Sequence, residues 1–511
     1  MEAHRQKIVP LAQKVAEFHS QKLPFRIYHG STNSTRSTTF SDATSIDTST
    51  LNNVISIDTE ERTCVVESNV PMDQLVAFTT PYRLVPPVVP EFPGITVGGA
   101  FSGTGGESSS FRYGFFDQCV LWIEAIQADG TVVSASPNEN ADLFNGCSGT
   151  FGTIATVTLL KIKLLPARDF VEMTYHPVDS FPDAQGLMAE LSSLEAIDFV
   201  DGIMFSKSQG VIVSGRMVNL DEYESSVAPP MVTFSQRWDQ WFYLHAENAM
   251  SRQSLCKSPH RELATLPEYL FRYDRGAFWT GKFVFQWFGV PFNRMTRYLL
   301  NWLMDTRTLY HGLHASKLGA AYIIQDFSLP DSKAVEFLDW LDETYEFYPL
   351  WLCPLKQNDR NSLNPHVPCS ETPGRSTGEQ LLNIGVWTKC PDEGRLPSNR
   401  KLEAKLRELQ GMKWLYADTF YTEEEFWSIY DREEYDSLRQ KYSAEYLPNV
   451  WRKVRTVVRE PARSHPGVRS LSSYLPHRML RDLNLWSRWP LVGITAVLSY
   501  LQGLEYLKDP A

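Results

Sequence analysis

The chain has 511 residues, 43% of them hydrophobic and 13% aromatic, and a formal net charge of −11. That is more than one ordinary domain requires and enough apolar material for large cores, which excludes a disordered chain. The acidic balance argues against nucleic acid as the partner, because phosphate contacts need a basic surface.

Residues Met1 to Ser20 are charged and place Ile8, Leu11, Val15 and Phe18 at helical spacing, which predicts a helix and no signal peptide. No long charge-free apolar run precedes the C-terminal tail, so the expectation is an intracellular protein, cytoplasmic or peripheral on an internal membrane. The seven cysteines are widely spaced and form no CxxC pair, which predicts free thiols, a reducing compartment and no zinc site.

Up to about Arg168, short β-type runs alternate with turns: Asn53 to Asp58, Arg62 to Glu67, Leu121 to Gln127, Thr131 to Ser134 and Thr153 to Leu165. A hairpin is expected at Asp129-Gly130 and a helix at Pro71 to Phe78. From Asp169 to about Asn449, glycines thin out and aromatics rise. Phe199 to Val218 predicts a hairpin. Met231 to Met250, Gln286 to Asp305, Asp331 to Thr344 and Arg400 to Gln410 predict helices, Phe347 to Pro354 and Leu381 to Thr388 strands, and Asn358 to Gly378 a loop. Trp451 to Arg488 is basic, and Trp489 to Leu507 is apolar with Glu505 as its only charge. The fold class is α+β, divided as 1–168, 169–450 and a tail 451–511.

The segment from Glu91 to Gly114 carries the clearest chemical signal. Gly94, Gly98, Gly99, Gly103, Gly105 and Gly106 leave the backbone unshielded, so its N–H groups can approach a phosphate or a flat ring. Thr104, Ser108, Ser109 and Ser110 add hydroxyl donors. The segment has no Lys, which excludes a P-loop, and its spacing is wrong for GxGxxG. Ile95, Val97, Ala100 and Phe101 are interleaved and would anchor it inside. Two further segments could supply donors: Gly30-Ser31-Thr32-Asn33-Ser34-Thr35-Arg36 after the run Phe25 to Tyr28, and Cys147 to Ile154 leading into Ala155 to Leu165. Each has a plainer reading as a turn or a strand start.

The order of these segments resembles the FAD-binding domain of the vanillyl-alcohol-oxidase, or PCMH, type. More narrowly, the chain resembles the Δ24-sterol reductase family. The residues that carry this are TVGGAFSGTGGESSSFRYGFF (Thr96 to Phe116), EAIQADGT (Glu124 to Thr131), NADLF (Asn140 to Phe144), SGTFGTIATVTLLKIKLLPA (Ser148 to Ala167), FWTGK (Phe278 to Lys282), YPLWLCP (Tyr348 to Pro354) and LYADTFYTEEEFW (Leu415 to Trp427). The resemblance runs from about Arg5 to Val454. It implies a two-domain flavoprotein with a PCMH-type FAD-binding domain and an α+β substrate (cap) domain. It implies FAD reduced by NADPH, with a hydride passing to one carbon of an isolated alkene and a proton to the other. The FAD segment carried over is Thr96, Val97, Gly98, Gly99, Ala100, Phe101, Ser102, Gly103, Thr104, Gly105, Gly106, Glu107 and Ser108. By analogy of fold, Gly30, Ser31, Thr32, Asn33 and Ser34 meet the pyrophosphate, and Gly149, Gly152, Thr153 and Ile154 the flavin edge. The first loop offers Asn33 where many relatives attach the flavin through histidine, and His29 precedes the glycine, so noncovalent FAD is expected. The family's N-terminal membrane anchor would lie before this chain begins, and the tail beyond Val454 has no alignable counterpart.

Alkene reduction needs a proton donor, and Tyr416, Asp418 and Tyr421 are candidates, with Arg275 and Lys282 for charge tuning or cofactor contact. The plainer reading makes Tyr416 a packed residue and Asp418 a structural acceptor. Glu124 lies in a β-type run, facing either solvent or a buried partner. Trp238, Trp241, Phe242, Phe278, Trp279, Phe285, Trp287 and Phe288 could line a pocket for a lipophilic small molecule or fill core. The tail could contact a membrane peripherally. Rival readings are an FAD oxidase or dehydrogenase of specialised metabolism, and a flavin-holding cyclase without net redox change.

Overall fold

The computed structural model describes residues 1–36, 40–223, 228–253, 260–316, 318–357, 363–366 and 380–457, with Val497, Tyr500 and Leu507. The expected loop Asn358 to Gly378 and the tail beyond Val457 therefore lie largely outside the described residues.

The β-branched runs near the N-terminus pair into a five-stranded antiparallel sheet. Its order is Val54–Asp58, Thr63–Glu67, Ala155–Lys163, Val120–Gln127 and Val132–Ala135. A short parallel pair, Arg26–Tyr28 with Ser45–Asp47, stands apart. The aromatic-rich remainder builds an eight-stranded antiparallel sheet in the order His260–Thr265, Phe170–Val178, Gln209–Val218, Phe199–Ser206, Leu350–Leu355, Leu381–Lys389, Tyr322–Pro330 and Met412–Lys413. One core joins the inner faces of both sheets, with Val66, Ile123 and Leu160 from the first and Val171, Ile203 and Trp351 from the second. The outer face of the second sheet is covered by the helices Phe181–Ser193, Asp331–Tyr345 and Arg395–Glu408, through Phe181, Met188, Phe337, Leu338, Leu402 and Leu406. The architecture is α+β.

Two expected helices differ. Met231 to Met250 becomes helical only from Phe242, as Phe242–Gln253, after a bridge and turns. Gln286 to Asp305 is three pieces, Gly281–Phe288, Arg294–Leu299 and the 3-10 turn Asn301–Leu303. Gly289 ends the first piece in the left-handed region (φ 66°), Pro291 follows it, and Asn293 caps the second.

The N-terminal helix Glu2–Ser20 docks Ile8, Val15 and Phe18 beside Ile126 of the first sheet. Its His4 is fully buried and bridges Glu67 at 2.8 Å and Glu124 at 2.9 Å. Glu124 thus has a partner and is half-buried. Burial opposes charge on all three groups, but hydrogen bonds outweigh it: those of Lys7 and His4 at Glu67, and those of His4 and Thr158 at Glu124. His4 is raised above 6.5, and Glu67 and Glu124 are held below 4.5. The stabilisation is complete between 4.5 and 6.5. It is lost above that window as His4 deprotonates, and below it as the glutamates protonate. His4→Gln should cost about 1–3 kcal/mol, since it removes two charge-assisted hydrogen bonds while Lys7 and Thr158 keep theirs. Thermal melts from acid to neutral pH should show the gap to wild type largest inside that window.

Candidate active site

A cavity of about 320 Å³ opens between the two sheets, and its walls gather residues from distant segments. After the strand Arg26–Tyr28 the chain turns at Gly30, and Ser31, Thr32, Asn33 and Ser34 line the cavity. Ser34 Oγ donates to the Tyr416 carbonyl at 2.7 Å, which ties this loop to the far end of the chain.

The glycine stretch forms the floor. Thr96 caps the short helix Val97–Ser102 by accepting from Gly99 N–H at 3.1 Å. Gly98 N–H donates to the Ser68 carbonyl at 2.7 Å, and a Cβ on Gly98 would lie 2.8 Å from that oxygen. Thr96, Gly98, Gly99, Ala100, Ser102, Gly103, Gly105 and Gly106 line the cavity. Val97 and Phe101 point into the core, Thr104 offers its carbonyl to the Trp414 indole at 2.7 Å, and Glu107 and Ser108 are buried behind. Of the third segment, Gly152 reaches the cavity, together with Phe151. Gly149 packs on Leu363, Thr153 Oγ1 bonds the Tyr435 hydroxyl at 2.8 Å, and Ile154 is core.

Arg26, Arg36 and Lys453 also line this cavity. Burial, then Arg26 and Arg36, push Lys453 down to about 7. Burial, then Arg26, lowers Arg36 to about 10, and burial with Lys453 pushes His29 down to about 4, leaving it neutral. Such crowding of buried cations leaves positive potential that an anionic group would relieve. The glycine floor, the cations and the flat walls of Phe278, Trp387 and Trp414 fit a dinucleotide with a planar ring.

The opposite wall holds acids. Tyr416 Oη donates to Asp326 Oδ2 at 2.5 Å, and Asn383 Nδ2 donates to Asp326 Oδ1 at 3.2 Å. Gly385, opposite Asp326 across the strand pair, leaves room for the carboxyl: a Cβ there would lie 3.0 Å from Oδ1. Burial raises Asp326 to about 6 against the bonds from Tyr416 and Asn383. Burial, and then Asp326, pushes the Tyr416 phenol well above its ordinary value. Glu91 also lines the cavity, and its Oε1 has no hydrogen-bond partner among the described residues. Burial, then Glu107, raises it well above the carboxylate range.

Asp418 is placed elsewhere than the cavity wall. It pairs with Arg395 and accepts from Thr456 Oγ1 at 2.8 Å. Tyr421, Arg275 and Lys282 do not line the cavity either. Arg275 is spent on Asn301 and the carbonyls of Phe234 and Asp239. Among the described residues no His, Cys, Asp and Glu are grouped to hold a metal ion.

Comparison with known proteins agrees with this geometry. Residues 10–136 match the family described as FAD binding domain. Delta(24)-sterol reductase of Macaca fascicularis is 30% identical over 417 residues, 79% of this chain and 76% of the relative. The Homo sapiens protein of that name aligns equally. The Pisum sativum one is 29% identical over 465 residues, 82% of this chain and 79% of the relative. The chain belongs to the Delta(24)-sterol reductase family. It is an FAD-dependent oxidoreductase. In this reductase-family chain, the first loop, the glycine floor and the cations would hold FAD, which when bound supplies hydride chemistry.

Two variants probe that fit through the purified protein's flavin. Gly98→Val must push against the Ser68 carbonyl, so it should purify colourless. Lys453→Met should weaken FAD affinity about 10- to 100-fold, the worth of a charge-assisted hydrogen bond. It should also raise the melting temperature of the flavin-free protein, because a crowded buried cation is gone. FAD titration by fluorescence and melts with and without FAD check both.

Proposed function

We propose that this protein uses NADPH to reduce an isolated C=C bond in a lipophilic, sterol- or terpenoid-like molecule. The observation that carries this reading is a second cavity of about 400 Å³ that shares Tyr310 and Trp387 with the first. Its walls are apolar, with Phe283, Trp287, Phe288, Leu309, Tyr322 and Ile324 prominent. One strand joins the two spaces. On Tyr322–Pro330 successive same-face residues Tyr322 and Ile324 line the apolar cavity, and Asp326 lines the other. A lipophilic body in the second cavity would present one end to Asp326. The family relatives named as sterol reductases support the same substrate class.

Asp326 suits the proton's part better than Tyr416. An isolated alkene is a weak base and needs an acid, and the phenol is made a poorer acid by its surroundings. The Asp326 O–H bond breaks as a C–H bond forms. The other carbon takes a hydride equivalent that originates in NADPH, and the carboxylate regains its proton from water. Tyr416 and Asn383 position the carboxyl, and Tyr310 and Glu91 act on the same Tyr416 phenol.

Anaerobic stopped-flow tests the reading. NADPH alone should bleach the flavin, and a sterol with a side-chain alkene should restore its colour. Bleaching by substrate with peroxide release in air would instead mark an oxidase, and an unreduced isomer with no bleaching a cyclase. Asp326→Asn should keep the NADPH step and slow recolouring by about 100-fold or more, the usual worth of a positioned acid. In wild type, recolouring should slow as pH rises through about 6. Tyr416→Phe removes a bond that lowers the Asp326 pKa, so it should move that limb to higher pH.

A further inference from the structure

We propose that the segment Gly281 to Met304 is a docking surface for an anionic phospholipid bilayer, set at the wall of the apolar cavity. Met295, Tyr298, Leu299 and Trp302 follow at helical spacing and are 67%, 38%, 60% and 47% exposed. Met295, Tyr298 and Leu299 share the helix Arg294–Leu299 and Trp302 follows on the 3-10 turn Asn301–Leu303, so four large exposed apolar side chains lie close together along the chain. The expected long helix is broken here, and the Asn293 cap restarts the chain as Arg294–Leu299.

Charge chooses the partner. From Gly281 to Met304 there is no Asp or Glu, whereas Lys282, Arg294 and Arg297 are present, in a chain of net charge −11. Burial lowers the Arg297 pKa, and Arg294 adds to this against Tyr243; its guanidinium lies over the Phe292 ring at 4.9 Å, and no ion pair among the described residues joins it to an acid. The Arg237 guanidinium lies over the Tyr298 ring at 4.7 Å, which extends the patch to Trp238, itself 56% exposed. Cations around apolar and aromatic tips match an anionic leaflet: lipid phosphates meet the arginines, and Trp and Tyr suit the interface.

Continuity points the same way. The segment that exposes Met295 and Leu299 turns Trp287, Phe288, Leu300 and Leu303 into the apolar cavity. A lipophilic molecule could thus pass from bilayer to cavity along one stretch of chain without crossing water. No helix among the described residues is long and apolar enough to cross a membrane, so this surface would lie on the bilayer and not span it. The proposal does not rest on the reaction, and its test reads binding without turnover.

The test is flotation of the full, FAD-loaded chain with vesicles of phosphatidylcholine and phosphatidylserine. Wild type should float. Met295→Glu/Leu299→Glu/Trp302→Glu should lower the bound fraction at least about tenfold while keeping its flavin, since apolar insertion drives such binding. Arg294→Gln/Arg297→Gln, a milder surface change, should lose the advantage of phosphatidylserine vesicles over phosphatidylcholine alone. The proposal is overturned if wild type stays at the bottom of the gradient, or if both variants float like wild type. It is also overturned if light scattering shows a dimer that the triple variant dissolves, because the stripe would then belong to a second copy.

Discussion

The Gly98 backbone lies against the Ser68 carbonyl with no space for a side chain between them. That contact seats the short helix Val97–Ser102 on the first sheet, and the rest of the site takes its position from there. Phe101 and Val97 anchor in the core because the helix is held down, so Gly99, Gly103 and Gly106 are bared toward the cavity. The roof then closes through Trp414 on the Thr104 carbonyl and Ser34 on the Tyr416 carbonyl. A larger residue at Gly98 would therefore disturb the cavity as a whole and not one contact.

The second organising element is the strand Tyr322–Pro330. Its pleat sends alternate side chains to one face, so a single extended run serves an apolar space at one end and a buried acid further on. Gly385 across the ladder makes the carboxyl's place, and Asn383 and Tyr416 hold it. A carboxyl in such a site sits nearer neutrality than one in water, because burial penalises its charge more than the bonds from Tyr416 and Asn383 repay.

How much was legible in sequence depended on whether the signal was local. The glycine stretch is legible because density of one residue type within a few turns has a direct backbone meaning. The strands of the first sheet are legible for the same reason, since alternation and turn residues are local. Asp326 was not. In YIIQDFSLP an aspartate reads as one more polar position, and its meaning comes from Gly385, Asn383 and Tyr416, which other strands and loops bring to it. Arg26, Arg36 and Lys453 are ordinary surface residues in one dimension and a charge cluster only in three. Asp418 sits in a motif beside Tyr416, but the fold pairs it with Arg395 and Thr456 outside the cavity wall. Of the eight flagged aromatics, Phe285, Trp287 and Phe288 line the apolar cavity, Phe278 the other, Trp241, Phe242 and Trp279 are core, and Trp238 is exposed. Composition shows that aromatics are plentiful, but not which space each one faces.

The hydrogen bonds that close the cavity join residues very far apart: Ser34 to Tyr416 across 382 positions, Thr104 to Trp414 across 310 and Phe151 to Lys453 across 302. During synthesis the glycine floor and first loop leave the ribosome long before the residues that roof them. The newborn N-terminal portion has a floor without a lid, its polar loop open to water and its apolar inner face uncovered. Capture of the cofactor in its final setting is thus an event of the finished chain, and the half-made protein spends its synthesis with the face of the first sheet that later becomes interior exposed to its surroundings.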